Sequence, residues 1–115
     1  MTPEEAASRH FIRLFPGFAA DWEQEDLLRE DDGSFTLCGL FAAISTFLRD
    51  RAATLTPEER RRFGDYVNHH FHQADEPARD ALGACLIENL EGYAFTRDLF
   101  AHVAPEVLRQ FRVEA

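Results

Sequence analysis

The sequence predicts an all-α fold, and three features carry that prediction. Apolar residues recur at spacings of three and four along most of the chain. The tetrapeptide Thr-Pro-Glu-Glu, a helix-start signal, occurs twice, at residues 2–5 and 56–59. No window alternates apolar and polar residues between hairpin turns. At 115 residues the chain suits one domain. The expected architecture is a single-domain antiparallel helical bundle of about five to six helices, with solenoid-like stacking open to the C-terminal half. No internal repeat of fixed period supports a longer solenoid.

The elements follow in order. In each Thr-Pro-Glu-Glu start, the Thr hydroxyl can accept an orphan backbone N–H, Pro has no N–H to leave unpaired, and the second Glu can reach back to the cap. The first helix spans about 3–15 and is stopped by Pro16-Gly17. A second, about 18–29, places Phe18, Trp22 and Leu27-Leu28 on a looser stripe, and Asp31-Asp32-Gly33-Ser34 is a turn. The third, about 36–53, puts Leu37, Leu40, Phe41, Ile44, Phe47 and Leu48 on one face. The fourth, 57–73, has Phe63, Tyr66, Val67, His70 and Phe71 as its apolar stripe. The fifth begins at Asp75 as N-cap and runs to about residue 90. A sixth begins near Thr96, and Pro105 kinks it or opens a short last helix.

Composition narrows the function classes. Apolar residues make up 45% of the chain and eleven residues are Phe, enough for a core without metal or disulfide support. Twenty-one carboxylates face twelve basic residues, all Arg, for a net charge of −9. Phosphate backbones and anionic lipid surfaces repel such a chain, so nucleic acid and membrane are disfavoured as partners and a basic protein is allowed. Cys38 and Cys85 lie in apolar helical surroundings without CxxC spacing. The expectation is two reduced core thiols in a cytoplasmic protein. The N-terminal residues are acidic and carry no apolar signal core.

Leu82-Gly83-Ala84-Cys85-Leu86-Ile87-Glu88-Asn89-Leu90, which follows the acidic turn Asp75-Glu76-Pro77, resembles the "FlEnl" segment of a family of small all-helical bacterial proteins of unassigned function. Leu14-Phe15-Pro16-Gly17-Phe18 is similar to that family's "FPel" segment. The chain departs from the pattern where Leu86-Ile87 replaces the family's Phe before Leu-Glu-Asn. Members are often considered immunity-like proteins that neutralise a toxin of the same or a sister cell. The resemblance implies a compact helical domain that binds another protein, and it carries over no catalytic residue.

Four groups of residues are candidates for a site. Asp21, Trp22, Glu23, Glu25, Asp26, Asp31 and Asp32, with Glu30, form an acidic run that could dock a basic partner through Trp22 as anchor. The plainer alternative is a solvated face with Trp22 in the core. On the fourth helix Asp65, His69 and His72 stand at i, i+4 and i+7, a row with the ligand types of a Zn or Ni site, while His70 is partly packed and His10 and His102 are isolated. Glu88 and Asn89 lie in an apolar helix, where a buried polar group must be hydrogen-bonded and so ties structure together. Arg60-Arg61-Arg62 is the one basic cluster, best read as surface pairing with Glu58 and Glu59. Ser8, Ser34 and Ser45 lack a nucleophile-elbow context, so no catalytic residue and no required cofactor is expected. The expected function is a non-enzymatic protein-interaction domain, with a small metal- or ligand-binding domain as the alternative.

Overall fold

Among the described residues there are seven α-helices: α1 (Pro3–Leu14), α2 (Phe18–Glu23), α3 (Leu37–Arg51), α4 (Pro57–Gln73), α5 (Glu76–Ala81), α6 (Thr96–Leu99) and α7 (Pro105–Gln110). The computed structural model describes residues 1–112. Among the described residues there is no strand, only an isolated bridge between Arg29 and Phe35. None of the described helices is long and apolar enough to cross a membrane. The radius of gyration, 13.3 Å, is what a compact chain of this length should have, about 13 Å.

The helix ends follow their side chains. Thr56 accepts the Glu59 N–H and the Glu59 carboxylate accepts the Thr56 N–H, a complete two-way cap. Thr2 accepts from Glu5, Thr36 from Gly39 and Asp75 from Ala78, each satisfying one orphan donor. The second helix is shorter than its apolar stripe predicts. It ends at Glu23, the Glu25 carboxylate accepts the Leu27 N–H, and Asp32 accepts that of Ser34 beside Gly33 at φ 85°. Local carboxylate bonds to the backbone compete with helix there and win.

The fifth helix keeps its predicted start and length but not its form. After Ala81 the chain widens into a π-helical segment, Leu82–Ile87, and tightens into a 3-10 turn, Glu88–Leu90. Gly83 lies where a Cβ would stand 2.7 Å from the Phe111 ring, so the absent side chain admits the end of α7.

α3 is the hub. It packs against α1 and α2 on one side and against α5 and the π segment on the other. Phe11, Phe15, Phe18 and Phe47 meet edge-on or stacked between the first three helices, and Tyr66 joins them from α4. Each fully buried side chain of this size contributes roughly 1.5–3 kcal/mol. The short α6 and α7 close over α4, where Asn68 donates to the His102 carbonyl and accepts the Ala104 N–H.

The cysteines correct the sequence reading. Cys38, at the start of α3, and Cys85, in the π segment, form a disulfide with their Cα atoms 5.2 Å apart. Apolar neighbours in sequence suggested two separate core thiols. The packing of α3 on the π segment instead brings two rim positions together, with Cys38 exposed and Cys85 half-buried.

Candidate metal and ligand site

α1 and α4 run antiparallel, and their pairing creates the site. Arg62 donates to the Leu14 carbonyl near the end of α1. The buried Tyr66 hydroxyl donates to the Ala7 carbonyl, 3.0 Å away, in the middle. Between these contacts His10 of α1 faces α4, and its Nδ1 lies 3.0 Å from Nε2 of His70. The His10 ring also meets the His69 ring edge-on at 5.1 Å. Tyr66 completes the packing, with its ring 4.2 Å from that of His70 and 5.1 Å from that of His10.

One ring nitrogen from each of His10, His69 and His70 falls within 4.8 Å of the others. Among the described residues this is the one group of three His, Cys, Asp or Glu side chains so placed. Two ligands on one tetrahedral Zn²⁺, with bonds of about 2.0–2.1 Å, stand about 3.3 Å apart, so the His10–His70 separation already approaches that spacing. Burial, then the neighbouring His10 and His69, push the His70 imidazole down to about 4. His10 is lowered by burial first, then by His69 and Arg13. Both are therefore neutral at pH 7, the form that binds metal.

Two of the trio, His69 and His70, border a cleft of about 260 Å³. His69, His70 and Gln73 form its polar wall. Ala6, Ala7, Leu37, Phe41, Ala78 and Leu82 supply most of the apolar remainder.

The row Asp65, His69, His72 shares a helix face, but its side chains go to different partners. Asp65 pairs with Arg61 at 3.1 Å, and His72 lies 3.9 Å from Glu106 on α7. Only His69 of the three reaches the trio. His10, read as isolated, is the correction: its partners lie sixty residues away, and no local spacing could reveal them.

The acidic run also separates. Trp22 is 5% exposed, stacked on Phe18, edge-on to Phe35 and covered by the Arg29 guanidinium 4.4 Å above its ring. It belongs to the core, and its role as a surface anchor is withdrawn. Asp21 pairs with Arg51 at 3.4 Å. Glu23, Asp26, Glu30, Asp31 and Asp32 are exposed and Glu25 half-exposed, and Leu27 among them is 95% exposed.

The remaining polar candidates serve structure. Asn89 donates to the Cys85 carbonyl at 2.8 Å and holds the π segment, while Glu88 is exposed. Arg60 and Arg62 donate to the Leu55 and Leu14 carbonyls, and Arg61 binds Glu58 and Asp65. Ser8 and Ser45 donate to the carbonyls of Glu5 and Ala42 within their own helices.

No protein-family model, no curated protein and no solved structure matches this chain.

Proposed function

We propose that this chain is a non-enzymatic binding domain that holds a divalent transition-metal ion on His10, His69 and His70. The observation that supports it is the convergence of three imidazoles from two helices, with the half-buried His10 and His70 neutral at pH 7 and at near-ligand spacing. Imidazole sets suit Zn, Ni and Cu. The test is calorimetric titration of untagged protein with Zn²⁺. One ion should bind per chain, and His10→Ala or His70→Ala should each weaken binding tenfold or more, while Asp65→Asn and His72→Gln leave it unchanged. Equal losses from Asp65→Asn and His72→Gln would move the site to the α4 face, and no binding would end the reading.

A second reading, the protein-interaction domain, is favoured by one observation: Leu27 stands free in a loop of exposed carboxylates. On that reading a basic protein docks there, with charge supplying steering and Leu27 the apolar contact, and the immunity-like resemblance implies no more than a protein partner. Salt-sensitive capture of a stoichiometric basic partner, lost in Leu27→Asp, would support it, and capture indifferent to both would oppose it. The cytoplasmic expectation draws on reduced thiols as well as on the acidic N-terminal residues. With Cys38 and Cys85 bonded, an oxidising compartment is the better-supported proposal.

A further inference from the structure

The His trio and the cleft beside it are one site, and the charge on the trio decides what the cleft takes. Three imidazole ligands bring no anionic charge, so a bound divalent ion would keep its whole double charge. No described Asp or Glu carboxylate joins the three imidazoles at ligand distance. This is the reverse of the molecule as a whole, whose net charge is −9. Three protein ligands also leave a tetrahedral ion one open position, which no further described His, Cys, Asp or Glu side chain fills. An anionic donor from outside satisfies both requirements.

The cleft limits the rest of that donor. His69 and His70 belong to both the trio and the cleft wall, so a group bound at the ion begins at the cleft's polar end. Beyond it the walls are the Ala6 and Ala7 methyls, Leu37, Phe41, Ala78 and Leu82. At about 260 Å³ the space falls below the roughly 300–1,000 Å³ of pockets for drug-sized molecules. It suits a short unbranched tail without polar groups.

We infer that the cleft bordered by His69 and His70 binds a short-chain aliphatic carboxylate, its head on a metal ion held by the trio and its tail against Ala78 and Leu82. This rests on the metal reading above. The step is ligand exchange only: the carboxylate oxygen replaces metal-bound water, and no bond within the ligand breaks.

The experiment uses Co²⁺-loaded full-length protein, read by its visible absorption, titrated with acetate and with hexanoate. Each buried methylene tightens binding about fourfold, so hexanoate should bind at least tenfold more tightly than acetate. Ala78→Leu and Ala6→Leu narrow the cleft from two helices, at half-buried and exposed positions where the backbone is undisturbed. Both should take up Co²⁺ normally and lose the preference for hexanoate. Equal affinity for the two acids overturns the inference while leaving the metal site standing. Hexanoate binding of equal strength to metal-free protein overturns the role of the ion. Failure to take up Co²⁺ overturns the metal reading and this inference with it.

Discussion

His10 Nδ1 stands 3.0 Å from His70 Nε2 across the α1–α4 interface, and this pair forms the centre of the histidine cluster. In the metal-free protein one imidazole donates to the other. On the proposed metal reading, the same nitrogens would serve as ligands. The pair sits on the Tyr66 ring, itself fixed by the Ala7 carbonyl, so its geometry is held by buried structure.

The pair should make stability depend on pH. His70 is held at about 4 against 6.5 for an ordinary imidazole, chiefly by burial. Between those values the unfolded chain carries a proton that the folded chain does not. Stability should therefore be complete above about 6.5 and fall as pH drops toward 4. The shift corresponds to about 3 kcal/mol, and partial exposure reduces it to on the order of 1–2 kcal/mol. Besides His70, the groups facing this site are His10, His69, Arg13 and the Tyr66 hydroxyl. Urea denaturation at pH 7 and pH 4.5 should show a smaller loss for His70→Phe than for the parent, and identical losses would contradict the assignment.

Tyr66→Phe removes the hydroxyl that meets the Ala7 carbonyl and changes little else. The expected cost is about 1 kcal/mol in urea denaturation. Zn²⁺ affinity should fall only slightly, because the ring that supports both histidines remains.

Gly64 sits where α4 passes beneath the α6–α7 connection. A Cβ there would lie 2.6 Å from the backbone of His102, which has no side-chain freedom to yield. Overpacking of this kind costs roughly 1–3 kcal/mol, against a gain of up to about 1 kcal/mol in helix propensity. Gly64→Ala should thus be destabilising overall, with a lower thermal midpoint despite its better helix-forming residue.

Reduction of Cys38–Cys85 opens a loop with a sequence separation of 47. The chain-entropy model assigns such a closure about 4 kcal/mol, acting through the unfolded state. Denaturation with and without reductant should show a loss approaching that value, reproduced by the double alanine variant. Two free thiols in the denatured, unreduced protein would contradict the bond.

The sequence revealed most where chemistry is local. α4 begins and ends at its predicted residues because Thr56, Pro57 and Glu59 fix its start and Ala74-Asp75 leads directly into the next cap. α2 was over-extended because Leu27-Leu28 continue an apolar stripe, whereas Glu25 and Asp32 hold the backbone in turns. The π segment has no spacing signature of its own, and the close approach of Phe111, just after α7, to Gly83 is a tertiary contact that no local pattern announces. For the site, the ligand-rich tract at 69–72 was visible, but the choice among its members was not. Helical spacing joined His69 to Asp65 and His72, while antiparallel packing joined it to His10 and His70. Cys38 and Cys85 failed for the same reason, each reading as core until α3 met the π segment.

The most direct measurement of the central claim is the long-range ¹H–¹⁵N spectrum of the imidazoles during addition of Zn²⁺ to the untagged protein. Ring nitrogens of His10, His69 and His70 should shift together and saturate at one equivalent, while those of His72 and His102 stay in place. Perturbation led by His72, or none at one equivalent, would contradict the account.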